Sequence, residues 1–316
     1  MIVDLPATST SVIAKKLVTL RTHGGSLALG RVLTLVVVTD DTGDTEAAIE
    51  AANSASRQHP CRVIVLVRGS KKASARLDAQ IRVGGDAGAS EVIVLRAYGP
   101  LTNGDAGAGM VVPMLLPDAP IVAWWPGAAP AKPAEDPIGR LATRRITDAA
   151  ADKNPLRAIE HRAQSYVPGD TDLVWTRLTM WRALLAAALD QPPYEDITGA
   201  VVDGEADSAS TDLLAGWLSS RLKVPVKRTK KGAGGGVHSV RLERPGGAVE
   251  LARPDSKIGS LTQPGQPERR VALARRNLAD CLSEELRRLD ADETYAAALT
   301  GISDITRGRA PAGTRS

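Results

Sequence analysis

The 316-residue chain contains no phenylalanine, and its only aromatic residues are five tryptophans and four tyrosines. Its core must therefore be built from alanine, leucine, valine and isoleucine, and any exposed tryptophan would be informative. Apolar residues still make up 43% of the chain and charged residues 24%, which is the composition of a globular protein rather than a disordered one.

Sequence patterns that mark enzymes and metal sites are also missing. The two cysteines, Cys61 and Cys281, show neither CxxC nor metal-ligand spacing, so we expect buried or incidental free thiols. The histidines stand apart from any HExxH motif, GxSxG motif or cysteine nucleophile; they are His23, His59, His161 and His238. Nothing in the sequence therefore points to a catalytic site, and no bound metal or cofactor is predicted.

Long apolar runs are absent as well. No stretch approaches the length of a transmembrane helix. The N-terminal residues include Asp4 and no uninterrupted apolar core, which does not fit a signal peptide. We therefore expect a cytoplasmic protein that does not bind a membrane.

Three glycine-rich stretches could suggest a nucleotide site. Residues 99–110 place their glycines out of order for a dinucleotide-binding loop, and the acidic residue that should follow at the next strand end is missing. Residues 230–236 lack the GK[ST] ending of a P-loop, and residues 84–90 are typical of a turn. We interpret all three as loops or turns.

Positive charge is concentrated in the C-terminal part of the chain. Residues 221–289 contain 16 Lys/Arg and 7 Asp/Glu, whereas the net charge of the whole chain is only +4. Such a segment suits an acidic partner surface or a polyanion, although a solvated face is the commonest explanation. Because the segment has no aromatic residue on which bases could stack, nucleic-acid binding is disfavoured.

Hydrophobic periodicity predicts an α/β fold with a mixed, mostly parallel sheet flanked by helices. Continuous β-branched runs typical of buried strands occur at 31–40, 61–69, 90–99 and 120–127. Residues 75–85 alternate in the manner of a more exposed strand, and residues 1–5 are expected at the sheet edge. Helical spacing occurs at 8–22, 45–59, 102–116 and 156–166.

The strand and helix pattern restarts at Ile197 with the order β–α–β–β–β–α, which predicts a second, smaller α/β domain. We therefore expect four parts in the chain. They are an N-terminal α/β domain at 1–168, a central connecting helix at 169–192, a C-terminal basic α/β domain at 193–302 and a disordered tail at 303–316.

A single helix is predicted at Gly169–Asp190, and it holds two of the five tryptophans. Its apolar stripe recurs at helical spacing and consists of Val174, Leu178, Trp181, Leu185 and Ala188. Trp175 and Arg182 lie on a neighbouring face and Arg177 on another, which makes the helix a candidate docking element. A central packing helix whose tryptophans are core residues is the alternative, and the sequence leaves both open.

A second candidate region follows the strand at 120–127, which carries Trp124 and Trp125 at its end. The segment 138–150 is predicted to be a helix with Arg140, Arg144 and Asp148 on one side. The pair Arg144 and Arg145 could receive a phosphate or a partner carboxylate, or form salt bridges on the helix surface.

Five segments of the sequence form a specific combination: GRVLTLVVVTD, ASRQHPCRVIVLVRG, PIVAWWPG, DPIGRLATRRITD and GDTDLVWTRLTMWRALLAAALDQ. Together they resemble the OpcA family, the glucose-6-phosphate dehydrogenase assembly proteins, in its actinobacterial form, and the resemblance extends to about Gly301. It implies a non-enzymatic two-domain protein that binds glucose-6-phosphate dehydrogenase and promotes its active oligomer, supporting NADPH production by the oxidative pentose phosphate pathway. The redox control of cyanobacterial relatives is in doubt here, because the two cysteines form no vicinal or CxxC pair.

The predicted partner-interface residues are tryptophans and arginines, since both types are enriched at interface hot spots. They are Trp124, Trp125, Arg144, Arg145, Trp175, Arg177, Trp181 and Arg182. An alternative function is a sugar-phosphate or nucleotide binding protein, a degenerate enzyme, that uses the strand ends and the pair Arg144 and Arg145. Nonspecific polyanion binding through 221–289 is a third possibility.

Overall fold

The computed structural model describes residues 1–23, 30–41, 43–84, 91–230, 236–255 and 257–309. The chain divides into two compact units that interleave in sequence. Unit 1 comprises Met1–Ala151, Val167–Thr171 and Asn277–Ala291, and unit 2 comprises Asp152–Tyr166, Asp172–Arg276 and Asp292–Ser316. Within the described residues, no helix is long and apolar enough to cross a membrane.

Unit 1 is built on an eight-stranded sheet with the order β1-β4-β5-β3-β2-β6-β7-β8. Its strands are β1 (Ile2–Leu5), β2 (Leu33–Asp40), β3 (Cys61–Arg68), β4 (Arg76–Val83), β5 (Glu91–Tyr98), β6 (Ile121–Trp124), β7 (Arg144–Thr147) and β8 (Asp170–Asp172). The pairs β5–β3, β3–β2, β2–β6 and β6–β7 are parallel, whereas β1–β4 and β4–β5 are antiparallel. The predicted mixed, mostly parallel sheet and the edge strand at residues 1–5 are confirmed.

The helices of unit 1 are α1 (Thr10–His23), α2 (Thr45–Ser56), α3 (Gly104–Val111) and α8 (Leu278–Arg287). Apolar residues of α1 and α3, such as Ile13 and Met110, form one core cluster with alternate residues of the central strands, such as Val36 and Ile64. Helix α2 packs against α8 and contacts β2 and β3. The central strands are buried along almost their whole length, as their continuous β-branched runs predict.

Unit 2 contains a seven-stranded sheet with the order β14-β13-β12-β11-β9-β10-β15. Its strands are β9 (Gly199–Gly204), β10 (Val226–Lys230), β11 (Val237–Glu243), β12 (Val249–Ala252), β13 (Ile258–Thr262), β14 (Arg269–Ala272) and β15 (Thr306–Arg309). Its helices are α4 (Pro155–Ser165), α5 (Leu173–Arg177), α6 (Thr179–Leu189), α7 (Ala209–Leu222) and α9 (Glu293–Gly301). The predicted hairpin is confirmed, because β11 and β12 pair antiparallel.

Helices α7 and α9 cross closely in unit 2 because each has a glycine at the crossing point. A Cβ atom on Gly216 would collide with the carbonyl of Ala298, and one on Gly301 would collide with the carbonyl of Gly216. This close packing fixes the position of α9, whose N-cap is Asp292 and whose first turn contains Tyr295.

The prediction of one continuous helix at Gly169–Asp190 was wrong. The structure has β8, then α5, then α6, with Leu178 between the two helices. Asp172 is still extended, with φ −138° and ψ 138°, and its side chain accepts a hydrogen bond from Val174 N to cap α5. The chain therefore leaves the unit 1 sheet before it becomes helical.

The helix predicted at 138–150 was also wrong, because the structure has a 3₁₀ turn at Gly139–Leu141 followed by strand β7. On a strand, Arg144 and Arg145 point to opposite faces. Each guanidinium meets a buried carboxylate, Glu285 for Arg144 and Asp170 for Arg145. These long-range ion pairs favour the strand over the local helical pattern.

The tail predicted to be disordered at 303–316 was wrong at Thr306–Arg309, which form β15. This strand pairs in parallel with β10. Arg307 donates to Asp212 Oδ2 at 2.7 Å, so a buried carboxylate of α7 anchors the strand.

The predicted turn at 84–90 and loop at 230–236 fall largely on 85–90 and 231–235, which lie outside the described residues. Residues 99–110 form a 3₁₀ turn and most of α3 rather than only a loop.

Candidate protein-interaction site

Trp175 of α5 is a core residue of unit 2 and is only 2% exposed. Its indole Nε1 donates a hydrogen bond to Asp292 Oδ2 at 2.8 Å. The guanidinium carbon of Arg182 lies 3.5 Å from the centroid of its ring, and the ring centroid of Tyr295 lies 5.8 Å away. The other oxygen of Asp292 accepts from Tyr295 N and caps α9. Trp175 is therefore fixed on several sides and holds Arg182 in place.

Trp181 is the buried residue at the start of α6. It begins the inward stripe of the helix with Leu185 and Ala188. The Arg253 guanidinium lies 5.4 Å from the Trp181 ring centroid, and its Nη2 donates to Val237 O at 3.1 Å. Burial lowers the pKa of this guanidinium below its ordinary value, because the surroundings solvate the charge less well than water does. The inner face of α6 is thus firmly packed.

The outer face of α6 is apolar as well, although it is open to solvent. Between Met180 and Leu189, Arg182 is the only polar residue. The exposed side carries Met180, Ala183, Ala186 and Ala187, with Leu184 half-buried beside them. A helix that is apolar on all sides is typical of a fully buried element, so this outer face fits a site that a partner covers. We call these five residues the α6 surface.

Arginines lie near both ends of the α6 surface and give it a basic rim. Arg276 Nη1 donates to Thr176 O at 3.0 Å, and Arg269 Nη2 donates to Gln191 Oε1 at 3.2 Å. Arg177 and Arg182 are half-buried at the start of the helix. Two arginines of this group, Arg269 and Arg276, belong to the basic segment 221–289. An apolar centre with a basic rim matches a partner surface whose own rim is acidic.

The remaining predicted interface residues lie in unit 1 and are buried. Trp124 and Trp125 have no exposed surface. Arg144 donates to Glu285 Oε2 at 2.5 Å and to Asp290 O at 2.8 Å. Arg145 donates to Asp170, to Ala142 O and to Pro168 O. These side chains do not reach solvent, so a contribution to binding would act through the elements that they support.

The burial of Arg144 and Arg145 corrects one prediction directly. The alternative function used this pair to receive a phosphate, but both guanidinium groups are enclosed and already bonded to carboxylates and carbonyl oxygens. A ligand phosphate would have to displace a buried carboxylate, which leaves that carboxylate without its partner.

Sequence reasoning missed the outer residues of α6, above all Met180, Ala183 and Ala187. The signal was present, because these residues follow one another at i, i+3 and i+7 on the side opposite Trp181. It was overlooked because one apolar stripe already explained the helix.

The described residues contain no group of three His, Cys, Asp or Glu side chains that could hold a metal ion. Cys61 and Cys281 are buried thiols that form no disulfide, which confirms the expectation of buried thiols.

Two consecutive family models match the chain. The first describes the glucose-6-phosphate dehydrogenase subunit N-terminal domain of OpcA and matches residues 52–164, and the second describes the C-terminal domain and matches 168–299. A curated relative, the putative OxPP cycle protein OpcA of Synechococcus elongatus, is 30% identical over 189 residues. That alignment covers 54% of this chain and 41% of the relative, so the chain spans less than half of the relative's length.

Two solved structures are similar to the chain in fold only. An oxidoreductase from Sinorhizobium meliloti is 10% identical, with 87% of this chain and 97% of that chain covered and a TM-score of 0.44. Biliverdin reductase from Synechocystis sp. PCC 6803 is 11% identical, with 86% and 97% covered and a TM-score of 0.42. At these values neither likeness carries an inference about activity.

Proposed function

The chain belongs to the OpcA family of glucose-6-phosphate dehydrogenase subunits, and we propose that it is a non-catalytic subunit that binds glucose-6-phosphate dehydrogenase and promotes its active oligomer. In this role it supports NADPH production by the oxidative pentose phosphate pathway. We place it in the cytoplasm with the dehydrogenase.

The observation that carries the proposal is the α6 surface. An apolar helix face stands exposed on a tightly packed base, since Trp181 fills the inner side of the same helix and Trp175 fixes Arg182 beside it. A surface on a rigid base loses little conformational freedom when a partner covers it, so more of the contact energy appears as affinity. The basic rim adds electrostatic attraction to an acidic partner surface.

Activation by such a subunit follows from differential affinity. If the subunit binds the active oligomer of the dehydrogenase more tightly than the inactive form, it shifts the equilibrium toward the active oligomer. A tenfold preference corresponds to about 1.4 kcal/mol, and the shift cannot exceed this differential affinity. No chemistry by the subunit itself is required.

The direct experiment combines the purified chain with the glucose-6-phosphate dehydrogenase of the same organism at micromolar concentration. Co-elution on a sizing column, with a change in the mass or in the specific activity of the dehydrogenase, is the expected result. If the two proteins elute separately and neither the activity nor the oligomeric state of the dehydrogenase changes, the proposal is wrong.

A further inference from the structure

The seven-stranded sheet of unit 2 ends at β14, whose neighbour in the strand order is β13. The two strands are antiparallel and pair in continuous register, from Arg269 opposite Leu261 to Ala272 opposite Ile258. Within the described part of the chain, no strand lies on the other side of β14. An edge strand leaves a row of backbone N–H and C=O groups that can pair with another chain.

The outward backbone groups of β14 are those of Arg270 and Ala272. Just after the strand, Leu273 N donates to Lys257 O at 3.2 Å, so these two opposite residues form a hydrogen-bonded pair. In an antiparallel ladder such pairs alternate with non-hydrogen-bonded ones, and the next hydrogen-bonded residue along β14 is therefore Val271. The N–H and C=O groups of Arg270 and Ala272 point away from β13, off the edge of the sheet.

This edge is open to solvent. Arg270 and Ala272 are exposed, and so are Glu268 before them and Ala274 after them. Prolines and bulges often protect edge strands, but residues 268–274 contain no proline, and the described pairing with β13 has no register shift. An incoming strand can therefore reach the backbone. We call residues 268–274 the β14 edge.

Arginines give the β14 edge a positive charge. Residues 268–276 contain four arginines and one acidic residue, Glu268. Arg270 is exposed on the edge itself, and Arg275 is exposed just after it. Two copies of this edge would bring like charges together, which disfavours pairing of the chain with itself. The same charges favour an incoming strand that carries acidic residues.

The β14 edge begins close to the end of α6. In the turn before β14, Gln263 Nε2 donates to Ala188 O of the helix at 3.0 Å. Arg269 Nη2 donates at 3.2 Å to Oε1 of Gln191, which follows the helix. Because these hydrogen bonds tie the start of β14 to the end of α6, the β14 edge continues the candidate interaction site.

We propose that an extended acidic segment of glucose-6-phosphate dehydrogenase pairs with the β14 edge and adds a strand to the sheet. This inference rests on the proposed function and adds the way in which the partner is recognised. The backbone of the segment pairs with the outward groups of Arg270 and Ala272, and carboxylates at alternate positions face Arg270. In this binding mode, main-chain hydrogen bonds supply affinity and the side chains supply specificity.

Ala272→Pro tests the backbone pairing. Proline removes the N–H group that points off the edge and leaves the hydrogen bonds between β14 and β13 in place, which is why edge strands tolerate it. The affinity of the full chain for the dehydrogenase, measured by calorimetric titration, is expected to fall about tenfold. Ala272→Val keeps the N–H group and adds bulk to the same side chain, so this matched control is expected to bind as the wild type does.

Arg270→Glu tests the charge and leaves every backbone group in place, so it also serves if the proline variant does not fold. It is expected to bind the dehydrogenase several-fold more weakly. Lys227→Glu is its control, because Lys227 is an exposed cation on β10, an interior strand of the same sheet. This control is expected to keep the wild-type affinity.

Amide hydrogen exchange detects the added strand directly. The amides of Arg270 and Ala272 are expected to exchange about tenfold more slowly in the complex than in the free chain. If the wild type does not bind the dehydrogenase, the proposed function and this inference are both wrong.

Other outcomes overturn the β14 edge alone and leave the proposed function standing. They are wild-type affinity in both Ala272→Pro and Arg270→Glu, or equally fast exchange of the two amides in the complex. A wild-type chain that is dimeric by itself and becomes monomeric with Ala272→Pro would show that a second copy covers the edge instead.

Discussion

The guanidinium of Arg182 lies over the ring of Trp175, with its central carbon 3.5 Å from the ring centroid. This contact joins the buried base of the α6 surface to its basic rim. Trp175 and Arg182 were both predicted as interface residues, but only the arginine reaches the surface. Trp175 acts as a support, and its removal should affect the fold as much as the binding.

Trp175→Ala is therefore expected to lower the free energy of unfolding by about 3–5 kcal/mol, the usual cost of emptying a buried tryptophan site. Trp175→Phe keeps a ring under Arg182 and loses the hydrogen bond to Asp292, so a smaller loss of about 1 kcal/mol is expected. Urea denaturation followed by circular dichroism measures both values. A Trp175→Ala variant with wild-type stability would show that the tryptophan is not a core residue.

The basic rim should act mainly on the rate of association. Arg177→Glu reverses one charge at the start of α6 and is expected to slow association with the dehydrogenase several-fold at low salt. The difference from wild type should shrink as salt rises, because the Debye length falls to about 8 Å at physiological ionic strength. Surface plasmon resonance over a salt series measures this. An association rate that does not change with the substitution or with salt would contradict a role for the rim.

Strand β15 gives a prediction about the C-terminal end. A chain that stops after Ile305 loses the pairing of β10 with β15 and the hydrogen bond from Arg307 to Asp212. Asp212 keeps its other partner, Arg228, whose Nε donates to it at 2.8 Å. It is expected to melt several degrees lower than the full chain. A chain that stops after Arg309 keeps the strand and is the control. Equal melting temperatures for both truncated chains would mean that β15 adds nothing to stability.

The pair of Glu46 and Arg82 in unit 1 predicts a pH dependence. Two hydrogen bonds from Arg82, at 2.8 and 2.7 Å, hold the pKa of Glu46 below its ordinary value of 4.5. The stabilisation is therefore present above pH 4.5 and is lost as the pH falls through the lowered pKa. Because Glu46 is 67% exposed, solvent screening limits the effect to less than about 1 kcal/mol.

Glu46→Gln is accordingly expected to be slightly less stable than wild type at pH 7 and equally stable in strong acid. Urea denaturation at a series of pH values measures the difference. A difference that grows as the pH falls would have the wrong sign for this ion pair.

The sequence predicted the architecture well where the signal was local and repeated. The β-branched runs of β2, β3 and β5 identified buried parallel strands, and the turn-flanked segments of β11 and β12 identified a hairpin. The errors came from contacts distant in sequence. Arg144 lies on a strand, where it forms an ion pair with Glu285, a residue 141 positions away in the chain. No local sequence pattern contains the information about that partner.

The candidate site was predicted only in part. Trp and Arg enrichment selected the segment that forms α5 and α6, but the burial of Trp175 depends on Asp292 and Tyr295, which are more than 100 residues away in the chain. Met180 and its neighbours carry no distinctive chemistry, and their exposure appears only when the structure shows which side of α6 is covered.

The most direct test of the proposed interface is the affinity of the α6 surface for the dehydrogenase. Met180→Glu combined with Ala187→Glu places two charges on the exposed face, and Met180 is already 39% exposed, so stability should change by no more than about 0.5 kcal/mol per site. The matched control is Val18→Glu on α1, an exposed apolar residue of unit 1.

Calorimetric titration of glucose-6-phosphate dehydrogenase with the three chains gives the answer. The wild type and Val18→Glu are expected to bind with equal affinity, and the α6 double variant is expected to bind more than tenfold more weakly, or about 1.4 kcal/mol. Wild-type affinity in a folded α6 double variant would contradict the account.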